Sequence, residues 1–165
     1  MAVSAGVQAL AHSAFLDSPT IAMMKTRGVY LIPTLLSFQG DSPALLALQK
    51  EMRMILASDI PIAMGTDAGN PLTLHGPSVY AEMEAMQAAG LTPMQVIVAS
   101  TLGGATAMGV EREAGTVEKG KSADLLLVAG DPTKDVANLR KIRYVVRGGV
   151  VRSIEELKAT VAAAN

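Results

Sequence analysis

Residues 60–76 read IPIAMGTDAGNPLTLHG, an apolar run followed by a lone aspartate, Asp67, and then by loop-forming residues. This order predicts a buried strand over residues 60–64 whose C-terminal end presents the carboxylate. In α/β folds that end of the sheet carries the chemistry. Asp67 is therefore a candidate metal ligand or general base, and His75 is a candidate substrate contact. The alternative is structural: Asp67 caps the turn and His75 is an ordinary loop histidine.

The segments that precede this stretch alternate between strand and helix patterns. The expected elements are strands over residues 7–11 and 29–34, helices over residues 17–27 and 44–57, and a loop over residues 35–43. The first strand ends at His12, and the first helix has Asp17 as its capping residue. Such alternation is typical of βα units with a parallel sheet.

The segments that follow change character near residue 110. Helices are expected over residues 78–89, 94–100 and 102–108, then a strand over residues 125–129, a hairpin of residues 142–147 and 150–152, and a closing helix over residues 154–164. The sequence thus divides into a βα segment, residues 1–110, and a small β-rich segment, residues 111–165. The fold class expected is α/β.

The composition excludes several kinds of partner and site. With 14 basic and 15 acidic residues the net charge is −1, which gives no electrostatic footprint for nucleic acid or an anionic membrane. The chain has no cysteine, so it has neither disulfides nor thiolate metal sites. The ten methionines, Met24 and Met52 among them, are expected in the core. Residues 1–12 lack a basic signal-peptide start and the length of a membrane span, so we expect a soluble, cytoplasmic protein.

His12 and Asp67 each follow a predicted strand of one parallel sheet. Both would emerge at the same edge, where a ring nitrogen and a carboxylate oxygen could share one metal ion. A catalytic zinc typically has three protein ligands, and the chain has only two histidines, His75 being the other. The alternative for His12 is a histidine hydrogen-bonded at a strand end. The pair suits zinc, iron or manganese.

Three groups of motifs carry a family resemblance. In chain order they are AHSAFLD (11–17) with RGVYLIPTL (27–35), GTDAG (65–69) with HG (75–76), and GTVEKGKSADL (115–125) with DP (131–132). Together they resemble the C-terminal part of the amidohydrolase superfamily, in its imidazolonepropionase-like and Xaa-Pro dipeptidase-like branch. The first group is similar to the strand-six histidine segment and strand seven, the second to the strand-eight aspartate motif, and the third to the composite β-subdomain.

The resemblance implies a partial (β/α)8 barrel, strands six to eight with their helices, in residues 1–110. It implies a small composite β-subdomain with a C-terminal helix in residues 111–165. The activity implied is metal-dependent hydrolysis of carbon–nitrogen bonds in small amides, cyclic amides or dipeptides, commonly with zinc. His12 would ligate the metal, Asp67 would bind metal and take a proton from the attacking water, and His75 would face the substrate.

The departures from the family pattern concern the metal ligands. The family's His-x-His pair is absent from this sequence, as are its strand-four and strand-five ligands. The site is therefore expected to be incomplete, and activity is expected to need a complementary N-terminal portion or self-association. One alternative is a catalytically incomplete remnant that acts as a self-associating or partner-binding α/β module. Another is an independent α/β binding domain in which His12 and Asp67 are structural.

Overall fold

The computed structural model describes residues 1–12, 16–37, 43–71 and 73–163. Several segments for which the sequence predicts structure extend beyond these ranges. Residues 13–15 of the histidine-segment motif, residues 38–42 of the expected loop, Leu72 of the aspartate loop and residue 164 of the last helix lie outside the described residues.

The N-terminal part begins with a short 3-10 helix, Val3–Ala5, and the strand β1, Ala9–Ala11. The helix α1 (Ser18–Arg27) starts where expected, because the Asp17 side chain accepts a hydrogen bond from the Thr20 N–H at 2.9 Å. It stops at Gly28, which takes a left-handed conformation. The chain then returns as β2 (Tyr30–Ile32), which pairs in parallel with β1. A 3-10 helix, Leu35–Ser37, and the helix α2, Pro43–Ser58, follow.

The prediction of a third strand over residues 60–64 is wrong in the length of the strand. These residues run parallel to β2 but form a single bridge, between Leu31 and Ile62. Pro61 has no N–H to donate, which limits the ladder from the start. On the side away from β2, the Met64 N–H donates to the carbonyl of Ala99, a helical residue, at 3.0 Å. A helix therefore takes a bond that a neighbouring strand would otherwise make.

The helical region that follows contains fewer breaks than expected. The helix α3 spans Pro77–Ala88 and α4 spans Pro93–Val98. A π-helical turn, Ala99–Gly103, then joins α4 to α5, Gly104–Ala107. The interruption expected between residues 100 and 102 is thus a widened turn of one continuous helix.

The C-terminal part is the β-rich segment that the sequence predicts. The strands β3 (Leu125–Val128), β4 (Ile142–Arg147) and β5 (Val150–Ser153) form an antiparallel sheet in that order. Gly148 and Gly149 have positive φ values of 55° and 81°, which a two-residue hairpin turn requires. The helix α6, Ile154–Ala163, follows β5. Among the described residues, the strands form this sheet and the β1–β2 sheet, without a closed barrel.

One apolar core joins α1, α2, α3, α4 and the strands between them. Its fully buried members include Met24, Leu31, Met52, Ile55, Met86, Val96 and Val136. The expected core positions of Met24 and Met52 are confirmed, whereas the expectation is wrong for Met1, Met54, Met94 and Met108, which are exposed. Val136 comes from a 3-10 helix, Val136–Arg140, so part of the C-terminal segment packs on the N-terminal one. In the ranges that the structure describes, no helix is both long and apolar enough to cross a membrane.

Candidate functional site

Three consecutive strand ends turn through left-handed residues that are not glycine. His12 follows β1 with φ 56°, Thr34 follows β2 with φ 48°, and Asp67 follows the 60–64 run with φ 52°. Each such residue costs about 1–2 kcal/mol. This conformation is enriched at functional sites, where the surrounding structure holds it in place. Asp59, at the end of α2, has a similar φ of 56° but lies outside this group.

The structure brings His12 and Asp67 together, as expected for two residues at one edge of a parallel sheet. Nε2 of His12 lies 3.5 Å from Oδ2 of Asp67. The side chains are 43% and 38% exposed, so the pair is open to solvent while its backbone is anchored in the sheet. A small molecule or an ion can therefore reach both atoms.

Three further side chains hold this pair, and the sequence analysis did not select them. Oγ1 of Thr34 lies 2.7 Å from Nδ1 of His12. Oγ of Ser37 lies 3.5 Å from Oδ2 of Asp67. The amide of Asn70 donates to the Asp67 carbonyl at 3.0 Å and also contacts Oδ2. Thr34 ends a predicted strand and Asn70 lies in the loop after Asp67, so the sequence could have indicated both as neighbours of the site. Nothing in the sequence indicates Ser37.

His75 lies on the loop that follows Asp67. The loop is closed by the Gly69 N–H, which donates to the Thr73 carbonyl at 3.0 Å. His75 is exposed, and its Nε2 lies 3.6 Å from where a Cβ on Gly69 would stand. Within residues 1–12, 16–37, 43–71 and 73–163, no group of three or more histidines, cysteines or carboxylates is arranged to hold a metal. His75 is therefore not a third ligand in this arrangement.

The pair fits two positions of a divalent metal centre. Zinc ligands lie at about 2.0–2.2 Å from the ion, so two of them in a tetrahedral centre are about 3.3 Å apart. The 3.5 Å between Nε2 and Oδ2 is close to that spacing. An imidazole nitrogen and a carboxylate oxygen are also donors that zinc, iron and manganese accept. The spacing of these two donors is compatible with two of the four positions of a tetrahedral centre.

The chain is similar in sequence to known proteins of one family. Residues 2–152 match the amidohydrolase family. The chain is 28% identical over 102 residues to an imidazolonepropionase of Flavobacterium psychrophilum, covering 62% of this chain and 24% of that protein. It is 35% identical over 129 residues to a 5-methylthioadenosine/S-adenosylhomocysteine deaminase of Moorella thermoacetica, covering 72% of this chain and 28% of that protein.

A solved structure supports the same grouping. The fold is similar to that of a Xaa-Pro dipeptidase crystallised with methionine in its active site, with a TM-score of 0.82 and 25% sequence identity. The similarity covers 92% of this chain and 41% of the dipeptidase chain. The chain thus spans about a quarter of the length of the two curated relatives and less than half of this solved structure.

Proposed function

This chain belongs to the amidohydrolase family, and on that premise we propose that it is the C-terminal portion of a metal-dependent hydrolase of carbon–nitrogen bonds. Its substrates would be small amides, cyclic amides or dipeptides. The hydrolytic chemistry in the names of its relatives supports this proposal rather than the self-associating or partner-binding module.

The observation that carries the proposal is the His12–Asp67 pair at the strand ends, with 3.5 Å between Nε2 and Oδ2. In this proposal both residues ligate the metal, which is most simply zinc. A bound divalent ion lowers the pKa of water and polarises a carbonyl group. Asp67 then takes the proton of the attacking water and is oriented for this by Asn70 and Ser37. His75, exposed on the adjacent loop, contacts the substrate.

The proposed organisation follows from the same family. Residues 1–110 would supply strands six to eight of a (β/α)8 barrel, with residues 60–64 as the eighth. Residues 111–165 would form the small composite β-subdomain. The remaining metal ligands would come from a complementary N-terminal portion. The apolar side chains that the β3–β5 sheet exposes, Leu126, Leu127, Tyr144, Val150 and Val151, support the presence of such a covering portion.

Metal binding to the chain tests the ligand assignment. We expect one equivalent of zinc or cobalt to bind, weakly because the centre is half complete, and His12→Ala and Asp67→Ala to abolish the binding. Asp59→Ala is the matched control, since Asp59 is also a left-handed aspartate but precedes the 60–64 run and pairs with Lys25 instead of His12. A wild-type chain that binds no metal, or variants that bind as well as the wild type, would contradict the assignment.

Hydrolysis tests the activity. We expect the chain to cleave amide and dipeptide substrates only when it is combined with the portion that carries the remaining ligands. Under those conditions Asp67→Ala should remove turnover, while His75→Ala should mainly raise KM. Full activity of the isolated chain would contradict the proposal that its metal centre is incomplete without a complementary portion.

A further inference from the structure

Glu82 of α3 is a buried carboxylate with a specific task in the fold. It is 0% exposed, and its two oxygens accept hydrogen bonds from the backbone N–H groups of Leu35 at 2.8 Å and Leu36 at 2.9 Å. These N–H groups open the 3-10 helix Leu35–Ser37 and have no partner inside it. Burial raises the pKa of the Glu82 carboxyl group, and the two backbone bonds lower it. The carboxylate therefore fixes the start of this turn.

The turn that Glu82 holds carries the residues that contact the candidate site. Thr34 stands immediately before it and is 2% exposed, in its left-handed conformation. Ser37 stands at its end and contacts Asp67. Because a left-handed threonine is unfavourable by itself, the contacts around it must keep it in place. The Thr34 carbonyl accepts from the Ser37 N–H at 3.0 Å, and the Glu82 clamp holds the two residues that follow Thr34.

The hydrogen bonds of Thr34 determine where His12 carries its proton. Oγ1 of Thr34 lies 2.7 Å from the carbonyl oxygen of Pro33 and 2.7 Å from Nδ1 of His12. A hydroxyl group has one hydrogen, and a carbonyl oxygen can only accept. In the arrangement in which the hydroxyl donates to Pro33, its oxygen accepts from Nδ1–H. Neutral His12 is then the Nδ1–H tautomer, with the lone pair of Nε2 exposed to Asp67.

This tautomer makes the His12–Asp67 pair a cation site. The unprotonated Nε2 and the Oδ2 of Asp67 are two acceptors, 3.5 Å apart, with no hydrogen of their own to share. Two such acceptors favour a cation between them. A histidine that ligates through one nitrogen is typically oriented by a hydrogen bond from the other, and here Thr34 makes that bond.

We propose that Glu82 and Thr34 are positioning residues for the strand-end site: Glu82 clamps the turn after β2, and Thr34 thereby fixes His12 as the Nδ1–H tautomer with Nε2 free to ligate. The tautomer itself does not depend on any metal. Only the last step, ligation, rests on the proposed function.

The tautomer can be read directly by nitrogen-15 NMR of the metal-free chain at about pH 9, where imidazole is neutral. The chain has two histidines, so His75→Asn identifies the signals of His12. We expect the Nδ1–H tautomer in the wild type. Thr34→Val should increase the population of the Nε2–H tautomer of His12. Thr34→Ser should retain the wild-type tautomer, because the hydrogen bond to His12 needs only the hydroxyl group.

Glu82→Gln should shift the tautomer in the same direction as Thr34→Val, because an amide accepts with one atom where the carboxylate accepts with two. Glu84→Gln is the matched control on the same helix, since its carboxylate binds Arg140 and not the turn. If Glu82→Gln does not fold, Glu82→Asp replaces it: this variant keeps the charge but cannot reach both N–H groups. An Nε2–H tautomer in the wild type would overturn the proposal, as would a folded Glu82 variant with unchanged His12 signals.

A zinc titration separates this inference from the proposed function. Thr34→Val is expected to weaken zinc binding about 10–100-fold, as loss of a bond to a ligating histidine usually does. If the wild type has the Nδ1–H tautomer but binds no zinc, the proposed function fails and the positioning roles stand. If zinc binds equally to wild type and Thr34→Val while His12 is the Nε2–H tautomer, the positioning roles fail and the metal site stands.

Discussion

The neighbouring glycines Gly103 and Gly104 should respond in opposite directions to the same substitution. Both are helical, yet a Cβ on Gly103 would lie 2.5 Å from the backbone oxygen of Ile62, whereas a Cβ on Gly104 would have its nearest neighbour at 3.8 Å. Gly103 is thus a point of close approach between the helix and the 60–64 run, beside the bond from Met64 to Ala99. Sequence analysis cannot distinguish the two positions, because they are adjacent and identical.

The size of the effect follows from these distances. A carbon–oxygen contact is comfortable at about 3.3 Å or more, so Gly103→Ala must push the Ile62 carbonyl away by about 0.8 Å. That carbonyl is held by its neighbours, since Leu31 bonds to both Pro61 and Ala63 at 2.9 Å. Overpacking of this kind costs about 1–3 kcal/mol, and alanine returns about 0.5–1 kcal/mol of helix propensity. We expect a net loss of about 1 kcal/mol.

A Cβ on Gly104 would make only an ordinary van der Waals contact, so Gly104→Ala should gain the helix propensity alone, about 0.5–1 kcal/mol. Urea unfolding followed by circular dichroism measures both variants, and they should differ by about 2 kcal/mol. In thermal unfolding this corresponds to a separation of about 4–8 °C. Equal stability of the two variants, or a Gly103→Ala variant more stable than the wild type, would refute the close approach of helix and sheet.

Three smaller effects should also be measurable. Thr92→Ala removes the capping box of α4 and should cost about 1 kcal/mol in urea unfolding; a loss below the error of the fit would mean that the cap is not formed in solution. Gly115 and Gly120 have φ values of 95° and 94°, but only Gly115 is crowded, with a neighbour at 2.8 Å; Gly115→Ala should therefore be the less stable of the two alanine variants, and equal losses would contradict the packing there. The Arg140 guanidinium lowers the pKa of Glu84, so this pair stabilises the protein above the ordinary glutamate pKa and loses that effect as the pH falls through the lowered value. Glu84→Gln should thus cost less than about 1 kcal/mol at neutral pH and progressively less as the pH falls through the lowered pKa of Glu84, as denaturation over a series of acidic pH values would reveal.

Local signals predicted most of the elements. The first helix begins and ends at the residues that its capping aspartate and its glycine indicate, and the hairpin turns at Gly148 and Gly149. The meeting of His12 and Asp67 was predictable because parallel strands present their ends at one edge of a sheet. The metal-ligand roles of this pair and the substrate role of His75 stay predictions.

Long-range contacts account for what the sequence could not predict. The 60–64 run makes one bridge with β2, and on its other side the Met64 N–H bonds a helical carbonyl, that of Ala99, from a distant part of the chain. No pattern in the local sequence marks Glu82 as buried. Its carboxylate accepts hydrogen bonds from Leu35 and Leu36, which are 47 and 46 positions away in the chain. A buried glutamate with this task has the same local sequence signature as a solvated one on a helix surface. Such pairings become visible only in three dimensions.

The π turn at Ala99–Gly103 has a consequence for how this chain can change by mutation. A π turn contains one residue more than an α turn would, so loss of one codon there restores an ordinary helix and leaves the reading frame intact. The helix on either side of the deletion would keep its faces, because the widened turn absorbs the extra residue, and the change would be confined to the turn that contacts Ile62 through Gly103. A single in-frame deletion in this turn would thus change how the helix packs on the 60–64 run, which leads to Asp67, without changing any residue of the site.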